Sequence, residues 1–228
     1  SGSFVRGCDN GHADEKPVGE IFVGGFWIER NPLNRAEFDR FSGGSRNSFF
    51  EGGMPATHLD WATALNIAKS LGGDLPTEEE WEKSAKGGMW LGGDRVKHWR
   101  NQLPCRSFPW GNDAPDRRCA YPENAPKGPV CSDTYPELAS PYGLLNMAGN
   151  VWEWCNHEWD LKRYSWTPQN DQPERTVRPI RGGAWCDIGT DDVRTSGRYY
   201  DDWFAAERVH GARFVYRTSF WDLRWSLE

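Results

Sequence analysis

Regular helical spacing in this 228-residue chain ends at Gly88, well before the middle of the sequence. Beyond residue 90, proline and glycine recur, and aromatic residues stand in short runs such as 108–111, a pattern typical of turns and loops. The chain has 14 tryptophans, 25 glycines and 15 prolines. This composition suits large aromatic anchors joined by turns better than long helices. We therefore expect an irregular fold with many ordered loops.

Three segments carry helix signals. A short helix is predicted over 35–41. From Asp60, apolar residues recur with a period of 3.6 as far as Leu71, and Asp60 is the predicted N-cap. A third helix is predicted after Thr77, which has capping-box spacing to Glu80. We expect the second and third helices to pack on the same sheet.

Four segments are predicted as strands: 21–23, 26–28, 180–185 and 212–216. Between the last two lies a polar segment rich in tyrosine and small residues. There is no internal repeat, low-complexity tract or linker in the sequence that would divide it. We therefore predict a single domain over 1–228.

The net charge of −6 at pH 7 argues against several partners. Nucleic acid is not expected, because phosphate binding needs a stripe of lysine and arginine. An anionic membrane surface is disfavoured for the same reason. No apolar run in the sequence approaches the roughly 18 residues of a membrane span, so no span is expected in this chain.

Six cysteines and five histidines show no spacing typical of a metal site. No CxxC pair occurs, so zinc is not expected. A disulfide between Cys119 and Cys131 would suit an oxidising compartment. Buried free thiols would equally suit a chain with a core of this size. Both alternatives stay open.

Six short motifs carry a family resemblance. They are GSF at 2–4, DEKP at 14–17, LPTEEEWEKSAKGG at 75–88, FPWGN at 108–112, YGLLNMAGNVWEW at 142–154 and RGGAW at 181–185. In this order they resemble the sulfatase-modifying-factor family, which includes the formylglycine-generating enzymes. The resemblance implies an α+β chain with the C-type-lectin-like fold: two main helices, small twisted antiparallel sheets and much irregular loop. Most of the motif residues are interpreted as fold determinants.

One motif also matches a calcium site of the family. The resemblance places the ligand oxygens at the positions of Asn146, Gly149, Val151 and Glu153. Two side-chain oxygens with backbone carbonyls suit a hard cation, so the resemblance implies a structural calcium ion. The alternative is that Asn146 and Glu153 only satisfy backbone groups in a tight turn.

The copper-binding thiol pair of the formylglycine-generating enzymes has no counterpart here. The resemblance matches its two positions to Thr195 and Thr190, and Cys186 lies too early to match either. A hydroxyl, whose pKa lies far above that of a thiol, cannot supply the soft thiolate that Cu(I) requires. We therefore expect no catalytic residue and no copper. The histidine-bearing helical domain of the related iron enzymes is also missing, so iron is not expected.

The same fold is used by variable proteins of diversity-generating retroelements, whose variable segment follows RGGSW. Mutation at adenines in Asn codons never yields Trp, Met, Lys, Gln or Glu, and 186–210 contains only Trp203 and Glu207 of these. The segment is rich in tyrosine and aspartate. Antibody paratopes are also rich in tyrosine, whose rigid ring supplies contact area at low entropic cost. We predict a ligand-binding segment over 186–210, with these contact residues: Cys186, Asp187, Ile188, Asp191, Asp192, Tyr199, Tyr200, Asp201, Asp202, Phe204, Val209 and His210.

Three functions remain open. The first is a non-catalytic display protein, receptor-like or adhesin-like, that binds a protein or other macromolecule through 186–210. The second is a thiol oxidase of the formylglycine-generating type with an altered active site. The third is a structural or interaction domain in which 186–210 is an ordinary solvated loop. Display would suit export to a bacterial cell surface, with an export signal or lipid anchor outside this sequence.

Overall fold

Side-chain caps begin the three helices of the described chain. The structure, a computed structural model, describes residues 1–43, 53–92, 98–115, 128–157, 177–187 and 189–217. The helices are α1 (Arg35–Ser42), α2 (Trp61–Ser70) and α3 (Glu78–Lys86). Asn34, Asp60 and Thr77 accept N–H donors of the first turns, which have no partner inside a helix. All three predicted helices and their caps are confirmed.

Short strands build the sheets. They are β1 (Gly2–Arg6), β2 (Gly19–Val23), β3 (Trp27–Ile28), β4 (Trp90–Leu91), β5 (Trp99–Arg100), β6 (Trp152–Trp154), β7 (Val177–Arg181), β8 (Tyr199–Asp202), β9 (His210–Gly211) and β10 (Val215–Tyr216). β1 pairs with β2, β3 with β10, and β4 with β5, each antiparallel. The remaining sheet has the order β8-β7-β6-β9. Its β6–β9 pair is parallel, and its other pairs are antiparallel.

The main core lies between α2 and the four-stranded sheet. Ala64 and Ala68 of α2 share a buried cluster with Trp154 of β6 and Ile180 of β7. The third helix packs against β1 and β7, and its Trp81 belongs to a second buried cluster. Both helices therefore lie against the sheet that contains β7, as expected. Within the described residues, no helix is long and apolar enough to cross a membrane.

Glycine backbone geometry ends the strand predicted over 180–185. β7 stops at Arg181 because Gly182 and Gly183 adopt φ values of 98° and 73°, which other residues rarely reach. Of the predicted strand 212–216, only the part in β10 is extended and paired. β8 is not predicted from the sequence, because its run of two tyrosines and two aspartates does not alternate apolar with polar residues.

The cysteine alternatives resolve only in part. Cys131 is a half-buried free thiol and Cys155 a fully buried one. Cys119, the partner considered for a disulfide with Cys131, lies outside the described residues. Burial in an apolar cluster accounts for Cys155, as expected of a cysteine that acts as a small hydrophobic residue.

Candidate functional site

Four large aromatic side chains are exposed in one short stretch, and we call Tyr199, Tyr200, Trp203 and Phe204 the aromatic row. Their exposed fractions are 55%, 39%, 41% and 64%. The Tyr199 and Tyr200 rings stack with centroids 5.9 Å apart, and the Trp203 and Phe204 rings meet edge to face at 6.0 Å. Large rings usually bury most of their surface. A contiguous exposed set marks a candidate interaction surface.

Strand pairing supports the aromatic row from beneath. Tyr199 lies opposite Ile180 in the antiparallel β7–β8 pair. The buried Trp152 of β6 sets its ring 5.5 Å from the Tyr199 ring. Further along, the carbonyl of Trp203 accepts the N–H of Trp61 at 3.0 Å, at the start of α2. The inner side of the row therefore rests on the core, and its outer side faces solvent.

A buried ion pair fixes the start of β8. Arg198, directly before Tyr199, donates from Nε and Nη2 to the two carboxylate oxygens of Glu78 at 2.8 and 2.7 Å. Burial acts to raise the pKa of Glu78, but the hydrogen bonds and charge of Arg198 outweigh it, so the pKa is lowered. A buried charge is stable only with such a partner. The contact therefore ties β8 to α3.

A second buried arginine ties the preceding residues to the same helix. Arg181 donates from Nη2 to Glu82 at 2.8 Å and from Nη1 to the carbonyl of Gly197 at 2.6 Å. Glu82 also accepts from Lys86 at 2.7 Å. Burial acts to raise the pKa of Glu82, but the Lys86 and Arg181 charges lower it to about 2. The chain just before the aromatic row is thus held by permanent charges.

Two more side chains hold the segment before Arg198 against the N-terminal part of the chain. Arg194 pairs with the buried carboxylate of Glu15 and, at 3.1 Å, with Asp191. Thr195 is fully buried, and its hydroxyl donates to the carbonyl of Arg106 at 2.7 Å. These bonds satisfy polar groups that burial would otherwise penalise. They leave the backbone of this segment little freedom.

Glycines allow this segment to approach the sheet. A Cβ on Gly183 would lie 2.6 Å from Cγ1 of Val193, closer than atoms can approach. Gly149 has a φ of 78° and donates its N–H to the carbonyl of Gly182 at 2.7 Å. Both positions therefore need glycine, Gly183 for the close approach of Val193 and Gly149 for its positive φ.

The predicted contact residues differ in exposure. Asp191, Tyr199, Tyr200 and Phe204 are exposed, whereas Cys186, Asp187, Asp192, Asp201, Asp202 and Val209 are half-buried. Ile188 lies outside the described residues. His210 is only 2% exposed, with its ring centroid 4.9 Å from that of Trp154, and Val209 packs against the main core. His210 therefore belongs to the interior, because β9 pairs with β6, and Val209 lies at the edge of the core.

Two half-buried carboxylates, Asp187 and Asp192, precede the aromatic row in the chain. The pKa of Asp187 is raised to about 6. Burial is the largest cause, and the charge of Asp192 acts in the same direction, while hydrogen bonds from Ala184 and Trp152 oppose the shift. Burial, followed by the charge of Asp191, also raises the pKa of Asp192. Both shifts show that burial disfavours the charged form of these two carboxyl groups.

The two positions matched to the family's thiols are threonines, one with a hydrogen-bonded hydroxyl and one exposed to solvent. The Thr195 hydroxyl is committed to a backbone carbonyl, and Thr190 is exposed. Burial, followed by the Asp187 carboxylate, raises the pKa of the Cys186 thiol despite the opposing charge of Arg208. Since the thiolate is the reactive form, this environment disfavours Cys186 as a nucleophile.

An arginine binds the carboxylate of Glu153, the charged ligand of the expected calcium site. The buried Glu153 carboxylate accepts from Nη2 of Arg213 at 2.8 Å and from the Trp81 indole N–H at 2.7 Å. Arg213 also donates to three backbone carbonyls, those of Glu29, Arg30 and Leu145. A carboxylate with several carbonyls is the ligand set of a hard cation. Here the guanidinium of Arg213 donates hydrogen bonds to the carboxylate and to the three carbonyls.

Of the other expected ligand residues, Asn146 and Gly149 make hydrogen bonds within the protein. The Asn146 side-chain amide donates to the carbonyl of Ser132 at 2.6 Å, and the Gly149 carbonyl accepts the N–H of Val151 at 3.1 Å. In this arrangement the Arg213 guanidinium competes with a calcium ion for the Glu153 carboxylate. The calcium ion that the resemblance implies remains untested by these contacts, and a measurement that tests it is described in the Discussion.

Comparison with known proteins identifies the family. The family described as "Sulfatase-modifying factor enzyme 1-like domain" matches residues 1–218. The chain belongs to this family. Among curated relatives, the serine/threonine-protein kinase pkn1 of Chlamydia caviae is 30% identical over 243 residues, covering 93% of this chain and 36% of the relative. This chain thus spans about a third of that relative's length.

Two further relatives bear on fold and activity. The inactive C-alpha-formylglycine-generating enzyme 2 of Bos taurus is 32% identical over 143 residues, covering 59% of this chain and 39% of the relative. The structure of Treponema denticola variable protein 1 superposes with a TM-score of 0.67 at 16% identity, covering 96% of this chain and 92% of that chain. At this identity the likeness establishes the fold, which is the α+β, C-type-lectin-like fold expected for the sulfatase-modifying-factor family.

Sequence reasoning missed two parts of this site. Trp203 was not among the predicted contact residues, although its position beside Phe204 is a signal in the sequence. The Arg198–Glu78 pair joins residues 120 positions apart, and no local pattern marks it. A buried arginine directly before an exposed aromatic run becomes visible only in the fold.

Proposed function

We propose that this sulfatase-modifying-factor domain is a non-catalytic ligand-binding module, displayed at a bacterial cell surface, whose aromatic row binds a protein or other macromolecule. The observation that carries the proposal is the exposure of the four rings, between 39% and 64%, on a base of buried ion pairs. Rigid rings give contact area at low entropic cost, and they dominate the energy of many interfaces.

The aromatic row contributes little to the core that holds it. Arg198 and Thr195 fix the backbone on either side of Gly197 through buried partners, and neither contact uses a ring of the row. The rings can therefore change without removing these bonds. This separation of anchors from exposed rings supports a role in recognition.

The catalytic alternative lacks comparable support from the geometry. The hydroxyl of Thr195, at the position matched to a copper-binding thiol, is buried and bonded to the protein backbone. Copper(I) chemistry needs soft sulfur ligands. We therefore favour binding over thiol oxidation.

The test compares wild-type protein with the variant Tyr199→Ala/Tyr200→Ala/Phe204→Ala. Peptides are selected from a phage-displayed random library on the wild-type protein. We expect their Kd to rise about ten-fold or more in the triple variant, as loss of interface anchors does. The Tm of the variant should stay close to that of the wild type.

A matched control removes exposed aromatic residues elsewhere. Phe22, Trp90 and Trp99 are 69%, 60% and 52% exposed, and the variant Phe22→Ala/Trp90→Ala/Trp99→Ala should keep the selected peptides bound. Equal binding to wild-type and aromatic-row variants would contradict the proposal. So would failure to select any peptide, or a large fall in Tm of the aromatic-row variant, which would mark these rings as core.

A further inference from the structure

Three carboxylates of the segment that contains the aromatic row make no ion pair with a lysine or arginine among the described residues. They are Asp187, Asp192 and Asp201. Asp201 lies 3.3 Å from Nε2 of His210. Burial lowers the pKa of His210, although the carbonyl of Ala205 and nearby acidic groups oppose the shift, so burial disfavours the charged imidazole. Arg178 lies opposite Asp201 in the β7–β8 pair, and its guanidinium lies 4.2 Å from the centroid of the Trp61 ring.

These carboxylates form a connected surface with the rings. Asp187 accepts a side-chain hydrogen bond from Trp152 and interacts with the charge of Asp192. Trp152 sets its ring 5.5 Å from Tyr199. Asp201 follows the tyrosine pair directly in β8. Negative charge thus lies at the base of the row and within its strand.

The arginines of the same segment do not neutralise this surface. Arg194 is paired with Glu15 and Asp191, and Arg198 is buried against Glu78. Arg208 is exposed, and its guanidinium lies 4.9 Å from the centroid of the Trp185 ring. The charges of His12 and Arg194 act on Asp192, whereas no arginine charge opposes the raised pKa of Asp187.

Aromatic faces and carboxylates attract the same kind of group. The face of a tyrosine or tryptophan ring is negative and holds a cation, most often a guanidinium. Complementary charge across an interface also excludes partners of the wrong sign. A neutral or acidic ligand would bury these carboxylates without compensation, which is unfavourable.

We propose that the aromatic row and Asp187, Asp192 and Asp201 together accept a cationic side chain, an arginine or lysine in a basic segment of a protein partner. This inference rests on the proposed function, because it names the chemistry of the partner at the same surface. Tyr199 and Tyr200 supply ring faces, and the carboxylates supply the opposite charge.

The test uses hexa-arginine and hexa-citrulline peptides, which differ in charge while keeping nearly the same shape. Binding is measured by calorimetry at an ionic strength of about 0.15 M, where exposed charges beyond about 8 Å are screened. We expect hexa-arginine to bind about ten-fold more tightly than hexa-citrulline, and this preference to disappear in Asp187→Asn/Asp192→Asn.

A charge-matched control separates this site from general attraction to an acidic protein. Glu20 and Glu137 are exposed elsewhere, and Glu20→Gln/Glu137→Gln removes the same charge. That variant should keep the preference for hexa-arginine. Equal binding of the two peptides to the wild type, or equal loss in both acid variants, would overturn the inference.

The phage selection distinguishes this inference from the proposed function. Selected peptides that need the aromatic row and are enriched in arginine or lysine support both. Selected peptides that need the row but lack basic residues overturn the cation inference and leave the proposed function intact. Peptides that bind the aromatic-row variant as well as the wild type contradict both.

Discussion

Asp187 shows how one residue of the binding surface opposes folding. Burial raises its pKa to about 6 from an ordinary value of 3.8, so the folded state favours the protonated form. Stability from this group is therefore full below about pH 4 and falls as the pH rises to about 6. At neutral pH the charged carboxylate destabilises the fold, a cost consistent with a role in binding.

The variant Asp187→Asn tests this account of stability. Asparagine keeps an oxygen for the Ala184 N–H and removes the charge. We expect unfolding in urea at pH 7.5 to show a gain of about 1 kcal/mol, a two-unit shift discounted for the exposed part of the side chain. At pH 4 the gain should vanish. An equal gain at both pH values would contradict the assigned charge effect.

Glu153 and Arg213 make a second prediction at the residue scale. Because the guanidinium already compensates the carboxylate, we expect the same Tm with EDTA and with millimolar calcium. A calcium ion bound at 100 times its Kd would add about 2.7 kcal/mol to stability. A calcium-dependent rise in Tm that Asn146→Ala abolishes would show that the family's calcium site is present.

At the scale of elements, the helices were predictable and the binding strand was not. The three helices begin at caps whose partners lie three residues away, so the cause is local. β8 exists because it pairs with β7 and because Arg198 reaches α3. Its sequence has no strand alternation. The residue types of the site were therefore visible in the sequence, but the contacts that hold β8 in place were not.

The contact between β8 and α3 gives a prediction for two elements together. Replacing Arg198 by Met leaves the Glu78 carboxylate buried without its main partner, and we expect a loss of about 3–5 kcal/mol in urea unfolding. The double variant Glu78→Gln/Arg198→Met should lose less, because it removes both charges.

An exposed pair on α1 is the control for that measurement. Arg35 donates to Asp39 at 3.2 Å at the surface, and Arg35→Met should cost less than about 0.5 kcal/mol. A loss from Arg198→Met no larger than this control would mean that the buried pair does not hold β8 to the helix.

At the scale of the molecule, the resemblance matches the two thiols of the formylglycine-generating enzymes to Thr195 and Thr190. We expect no turnover of a CxPxR-type peptide with copper and oxygen above a control without protein. Thr195 and Thr190 cannot provide the thiolate ligands that this chemistry requires. Turnover that is lost on replacing Cys186 by Ser would establish the catalytic alternative.

The central feature of the whole molecule is that residues 189–210 contain two kinds of position, buried anchors and exposed rings. Buried side chains, among them Val193, Thr195 and Arg198, join this segment to the rest of the fold, while the aromatic row remains exposed. Positions of the first kind should be sensitive to substitution. Positions of the second kind should tolerate it, because none of their rings belongs to a buried core cluster.

A saturation library over residues 189–210, scored for resistance to proteolysis, measures this division directly. The account predicts that most substitutions at Tyr199, Tyr200, Trp203 and Phe204 leave the protein folded, and that most substitutions at Val193, Thr195 and Arg198 do not. Equal sensitivity of the two groups would show that the aromatic row belongs to the core, and the binding surface would have to be abandoned.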